Sequence, residues 1–323
     1  MRAVVITKHG GPEALRVQER PDPVPGPDEV VIDVKAAGLN FAEVMARLGL
    51  YPDAPKPPCV VGYEVAGTVR GTGERVVAGT RFGGHAEQVV VKREDCMPLP
   101  DRLSFEEGAA LPVNYATAWA ALVRYGSLQR GERILIHAAA GGVGIAATQL
   151  AKDIGAEIWG TASPAKHEAI RELGVDHPVD YTRGGWERDV PRLDLVMDAL
   201  GGRSFRRSYD LLRAGGRLVA FGASGVMSGE KRSLVSAART VVSMPRFNVV
   251  KQMSQSKAVI GLNVLTLWDE HGSLDPWMRP LGELLEREVI RPVVARTFPF
   301  EQAGDAHRYI SGRRNVGKVV LVP

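Results

Sequence analysis

The chain has 323 residues, 45 % hydrophobic and 24 % charged, with 41 Lys and Arg against 37 Asp and Glu for a net charge of +4. That balance belongs to a soluble globular protein with enough chain for two domains, which excludes disordered and fibrous classes. Cys59 and Cys96 have no CxxC spacing, which excludes a disulfide framework, a four-cysteine zinc lobe and a thioredoxin-like site.

In chain order, residues 2–7 form the first expected strand. They lack the apolar length and cleavage site of a signal peptide. No run approaches the ~18 apolar residues of a spanning helix, so the cytosol is the expected compartment. Further strands are expected over 29–37 and 85–91, separated by the rigid connectors 21–27 and 56–58, with one short helix over 40–49 closed by Gly49. After Leu111 and Pro112 the texture changes to a helix over 115–123, an apolar strand over 133–139 and a helix over 143–154. In that helix Val143, Ala146, Ala147, Leu150, Ala151 and Ile154 fall on one face. Strands over 156–161, 194–198 and 217–221 alternate with helices over 164–172 and 205–212. This pattern predicts an α/β fold with a doubly wound parallel sheet. The tail from Val259 is mixed and ends on a strand over 317–322, which predicts a return to the first domain.

The strand over 133–139 runs through Ala139 into Ala140, Gly141, Gly142, Val143 and Gly144, then directly into a helix. This is AxGxxG in the strand–turn–helix context of a dinucleotide site. Gly141 would let the backbone approach a pyrophosphate, Gly144 would let helix and strand pack closely, and the helix N-terminus would present free N–H groups. A site for NAD places a carboxylate at the end of the next strand. Here residues 159–163 hold none, and Lys166 follows, which predicts NADPH as cofactor. The bland alternative for Lys166 is an exposed residue in the first turn of a helix. The small basic excess comes with no nucleic-acid-binding motif, so no nucleic-acid partner is expected.

With Gly38-Leu-Asn-Phe-Ala-Glu-Val-Met45, Gly49-Leu-Tyr-Pro52, His137-Ala-Ala-Ala-Gly-Gly-Val-Gly144, Asp198-Ala-Leu-Gly-Gly202 and Asn315-Val-Gly-Lys318, the chain resembles the medium-chain dehydrogenase/reductase superfamily in its zinc-independent quinone oxidoreductase branch. Segments 160–168 and 111–115 are most similar to the vesicle amine transport protein subgroup. The resemblance implies a GroES-like β-rich catalytic domain over 1–113, a Rossmann NADPH-binding domain over 114–255, and a segment 256–323 that adds Rossmann edge strands and returns to the catalytic domain. It also implies a homodimer paired through an edge strand near 258–263. Zinc-dependent relatives carry Cys in the place of Asn40 and Gly-His-Glu where this chain has Gly62, Tyr63 and Glu64. Glu64 alone cannot build a three-ligand site, so no metal is expected. The chain is also shorter than its relatives between Thr68 and Val76, where a surface hairpin is trimmed.

Without a metal, a carbonyl is polarised only by hydrogen-bond donors, which suits quinones and enones better than simple ketones. The resemblance implies Asn40 and Tyr51 as catalytic residues beside the nicotinamide, the first as an amide donor and the second as a phenol. Their bland readings are a helix cap for Asn40 and turn packing for Tyr51; Glu43 reads as structural. The resemblance also puts Ser163, Lys166 and Tyr181 around the 2′-phosphate with Arg313 nearby, and Gly222 and Asn315 along the dinucleotide. His137 reads as a satisfied core histidine, and His85 and His307 give no cluster. Two other functions stay open: an enoyl-thioester reductase, and a nucleotide-gated, membrane-associated binding protein with little turnover. The second rests on residues 231–268, where Lys231, Arg232, Arg239, Arg246, Lys251 and Lys257 interleave with apolar residues and no acid. The same segment also suits a lid or subunit contact over an apolar pocket.

Overall fold

In the computed structural model, residues 1–226 and 242–323 are described. Among them the strands form three sheets. The nucleotide-type sheet contains β9 (Arg133–Ile136), β10 (Glu157–Ala162), β11 (His177–Asp180), β12 (Leu193–Asp198), β13 (Leu212–Ala220) and β14 (Ala258–Gly261), in the order β11-β10-β9-β12-β13-β14. All of these pairs are parallel. The chain starts in the middle, winds outward to one edge and crosses back to build the other half, which is the expected doubly wound fold. Ile134, Leu135 and Ile136 are buried on both faces, as an apolar run in a central parallel strand must be.

Several boundaries differ from expectation for local reasons. The strand expected to reach Ala139 stops at Ile136, because Ala138 takes φ +54° and turns the chain into the glycine loop. β13 begins at Leu212 rather than Arg217, carrying Gly215 at φ +82° inside it, and its register against β12 shifts between Leu193 and Leu195. β11 is a strand the sequence did not announce. The helix expected over 115–123 starts earlier, at Pro112–Trp119, and widens into a π-helical turn over Ala120–Tyr125.

The second large sheet is built from β3 (Glu29–Leu39), β5 (Glu64–Val69), β6 (Arg75–Gly79), β7 (Gln88–Lys92), β8 (Cys96–Pro98), β15 (Val294–Pro299) and β16 (Lys318–Val322). Its order is β15-β16-β3-β5-β6-β8, with β7 paired to β3. The last strand of the chain pairs into this sheet: β16 lies antiparallel to β3 through Val319↔Leu39, Val320↔Gly38 and Leu321↔Ala37. A small sheet of β1 (Arg2–Ile6), β2 (Leu15–Glu19) and β4 (Cys59–Val60) completes this half. Helix Asp275–Glu286 buries Trp277, Met278, Leu281, Leu284 and Leu285 in one core with Leu111, Tyr115 and Leu122, so apolar packing joins the two halves.

Within the basic stretch 231–268, Lys231, Arg232 and Arg239 lie outside the described residues. The remainder is not one continuous amphipathic piece. Helix Val249–Gln255 leaves Val249, Val250 and Met253 exposed, β14 then joins the parallel sheet, and helix Val264–His271 turns inward. No helix among the described residues is long and apolar enough to cross a membrane.

Candidate active site

A cleft of about 1060 Å³ runs between the two halves, and every candidate site residue named above lies on it. One end is the glycine loop. Helix Gly142–Ile154 has Gly141 as its N-cap, with no side chain closing the cap. The N–H groups of Gly142, Val143 and Gly144 are thus left for an anion at the positive end of the helix. A Cβ on Gly144 would sit 2.4 Å from the Ala138 carbonyl oxygen and 2.7 Å from the Ala139 Cα, so only glycine allows this helix–strand approach. A Cβ on Gly142 would meet the Asn114 amide at 2.4 Å. Gly141 meets only the Ala138 oxygen, at 3.3 Å, which leaves its outer side open. Ala140 follows the loop's turn, and its carbonyl accepts from Gly317 N–H at 2.9 Å. Gly222, after β13, lies against Ala199, where a Cβ would find the carbonyl oxygen at 3.0 Å.

At the end of β10, Ser163, Lys166 and Tyr181 converge with Arg313 and Asn315. The Lys166 ammonium donates to the Arg313 carbonyl at 2.7 Å and to the Asn315 carbonyl at 2.6 Å. Lys166 is therefore not a bland exposed residue: it ties β10 to the loop before β16 and keeps one N–H free. Burial, then the nearby Arg313 charge, lowers its pKa. Asn315 turns its amide onto the Gly317 carbonyl at 2.8 Å.

The deep end is organised by a buried polar network that the sequence did not disclose. Asn40 stands at the N-cap of helix Phe41–Leu48, and Gly49 closes that helix at φ +68°. The Asn40 side-chain oxygen accepts from the Lys318 ammonium at 2.6 Å. Its Nδ2 donates to Glu64 Oε1 at 3.0 Å and to Glu43 Oε1 at 3.2 Å. Lys318 also pairs with Glu64 and reaches Asn114 Oδ1 at 3.4 Å. The other Glu64 oxygen accepts from Val113 N–H at 2.7 Å, and Glu43 Oε2 from Asn40 N–H at 2.9 Å. A cation on one side and the Glu43 and Glu64 oxygens on the other fix which way the Asn40 amide points. Both amide hydrogens are then engaged inside the protein. Asn40 orients this network; it does not present a spare N–H to the cleft.

Glu64, a solitary acid by sequence, is thus the partner of a lysine in the last strand. Lys318 and Glu64 are 2 % and 0 % exposed in their side chains. Burial pushes the Glu43 carboxyl up to about 8, with Lys318 opposing. His85 Nε2 donates to the Gly38 carbonyl, 3.1 Å away, and lies 4.0 Å from Glu43, so it borders the network. Burial takes its pKa down to about 4, which keeps it neutral. His307 lies 3.3 Å from Arg47 Nε in the same buried region. His137 is the satisfied core residue expected, placed between Thr161 Oγ1 at 3.2 Å and Ser208 Oγ at 3.0 Å.

The cleft wall opposite is apolar, with Met45, Leu262, Leu265, Leu267 and Trp268. Tyr51 faces it, and burial, then Asp53, pushes its phenol up to about 12, so it remains a donor. Across the rim, Asn263 Nδ2 donates to Asp53 at 3.2 Å, and Arg81 forms a two-pronged ion pair with Asp269 at 2.6 and 2.7 Å.

The comparisons with known proteins agree with this layout. Residues 26–101 match the alcohol dehydrogenase GroES-like domain and residues 173–321 the zinc-binding dehydrogenase family. The chain is 37 % identical over 340 residues to the synaptic vesicle membrane protein VAT-1 homolog of Homo sapiens, covering 100 % of this chain and 86 % of the relative. The quinone oxidoreductase of Thermus thermophilus, solved also in complex with NADPH, has a TM-score of 0.84 at 35 % identity over 100 % of both chains. The CurK enoyl reductase has a TM-score of 0.86 at 25 % identity, covering 99 % of this chain and 98 % of that one. The places of the zinc-binding Cys and His hold Asn40 and Tyr63, and no group of three or more His, Cys, Asp or Glu among the described residues could hold a metal. The chain is an oxidoreductase of the medium-chain dehydrogenase/reductase superfamily, in its zinc-independent quinone oxidoreductase branch and similar there to the VAT-1 subgroup.

Proposed function

We propose that the protein is an NADPH-dependent reductase of quinones and other conjugated carbonyl acceptors. The observation that carries this is a single cleft with an uncapped helix N-terminus and Lys166 at one end, and an apolar, phenol-lined chamber at the other. When bound, the dinucleotide supplies a hydride equivalent to an electrophilic carbon. The N–H groups of Gly142, Val143 and Gly144 would hold its pyrophosphate, and Gly222 and Asn315 would lie along it. The free Lys166 N–H, with Ser163, Tyr181 and Arg313, would take the 2′-phosphate. The apolar wall excludes water from the acceptor, and Tyr51 supplies a hydrogen bond where negative charge develops on oxygen. In this reading Lys318 and Glu64 neutralise each other, so the site offers directed hydrogen bonds in place of a Lewis acid.

The test is NADPH oxidation with 1,2-naphthoquinone, an enone and a crotonyl thioester, each at equal concentration. Turnover with the quinone or enone above the thioester supports the reading. Preference for the thioester makes it an enoyl reductase, and no turnover with any acceptor refutes it. We also propose a homodimer joined through β14, whose outer edge has no strand beside it among the described residues. A monomer mass by light scattering would refute that assembly.

A further inference from the structure

We propose that Tyr63 donates a hydrogen bond to the acceptor's oxygen, and that its hydroxyl is left unpaired within the protein for that purpose. The inference deepens the reductase reading and rests on it. Tyr63 lines the cleft at the start of β5, and its ring lies edge-on to Tyr51 at 6.2 Å and tilted against Phe82 at 5.4 Å. It is 4 % exposed, and its hydroxyl has no hydrogen-bond partner among the described residues. A buried, unpaired hydroxyl is destabilising, and the large majority of buried polar groups are paired. Thr80 and Tyr115 follow that rule, donating to the Gly62 carbonyl and to Gln149, each at 2.8 Å; Ser311 Oγ is also buried without a partner among the described residues, but it does not line the cleft.

Two further observations favour a partner in the cleft. The Asn40 amide, the donor expected from sequence, spends both hydrogens on Glu43 and Glu64. Tyr51, the neighbouring phenol, likewise has no hydrogen-bond partner among the described residues, so two adjacent donors border one apolar chamber. Burial first, and then the Glu43 charge, raises the Tyr63 pKa, so the group can donate but does not ionise. An oxygen-bearing acceptor between these rings would satisfy both phenols, whereas a hydrocarbon would satisfy neither.

The test is Tyr63→Phe, which removes only the oxygen. Binding of 1,4-naphthoquinone is read by quenching of tryptophan fluorescence (Trp268 lines the cleft) with NADP+ present, so that no hydride can pass. The variant should bind the quinone about fivefold more weakly, as expected for one neutral hydrogen bond. Its NADPH affinity should be unchanged, and its thermal midpoint without ligand equal or higher. Unchanged quinone affinity with a higher midpoint shows an orphan hydroxyl of packing only and overturns the inference, as does absence of quinone binding by the wild type. Weaker binding by the variant, in a wild type that never oxidises NADPH, sinks the reductase reading and leaves Tyr63 as a ligand donor.

Discussion

Removing Lys318 tests the buried network most directly. Lys318→Met takes away the one ammonium facing Glu64 and leaves the carboxylate with Val113 N–H and Asn40 Nδ2 as its remaining partners. Both side chains are essentially without solvent, so water cannot replace the lost charge. Breaking one partner of such a pair costs about 3–5 kcal/mol. Glu64→Gln alone should also be costly, because it strands the ammonium between the Asn40 and Asn114 oxygens. The double variant Lys318→Met/Glu64→Gln removes both charges. Its glutamine keeps an oxygen for Val113 N–H and can turn its amide toward the Asn40 oxygen that Lys318 vacated. A buried pair replaced as a unit is often near neutral, so the double variant should recover at least about 2 kcal/mol relative to the sum of the singles. Urea denaturation of the four proteins, extrapolated to water with slopes compared, measures this coupling. Single costs below about 1 kcal/mol, or strict additivity in the double variant, would refute the argument that the pair is a desolvated unit.

Glu43 links pH to stability in the opposite sense from an acid whose pKa is lowered on folding. Its folded pKa is raised by burial from 4.5 to about 8, so the native state binds the extra proton between those values and stability falls as pH rises through that window. Glu43→Gln should flatten the decline of the thermal midpoint between pH 6 and 9; an unchanged slope would show that another group sets it. Lys166→Ala should weaken NADPH by roughly tenfold or more, as loss of a charged hydrogen bond predicts, while NADH changes little. Fluorescence titration at two salt concentrations checks this, and equal affinity of the wild type for both cofactors would remove the basis for it. Gly144→Ala places a methyl 2.4 Å from the Ala138 oxygen, where neither contacting backbone segment can give way, and should cost about 1–3 kcal/mol and most NADPH binding. Gly184→Ala, with nothing within 4 Å, is the matched control and should be neutral by both measures.

The parts of this protein legible in its sequence are those set by local chemistry. The glycine loop is forced by close backbone approach at Gly144, and the helix over 142–154 by one apolar face. The short helix after Asn40 is fixed by a cap at each end. β11 was missed because His177-Pro-Val-Asp180 is short, polar and proline-containing, and becomes a strand only because β10 offers a ladder. The deep network was missed for a different reason. Lys318 opens an apolar terminal run and reads as the wet end of a strand, and its partners lie 278 and 254 residues away. No window of sequence contains them together. The sequence points to Asn40 as a donor beside the substrate; only the fold shows the Glu43 and Glu64 oxygens that take up both of its amide hydrogens.

The position of Gly317 has a mechanical consequence. Its N–H meets the Ala140 carbonyl and it pairs with Gly141, while the next residue grips Asn40 and Glu64. The phosphate loop and the deep end of the acceptor chamber are thus fastened to neighbouring peptide units of one strand. At the rim, by contrast, the halves meet through Arg81 with Asp269 and Asn263 with Asp53, contacts that side chains can break and remake. The two ends of the cleft are thus fastened unequally: main-chain hydrogen bonds and a buried ion pair hold the span from glycine loop to Asn40, whereas exposed side chains alone hold the rim.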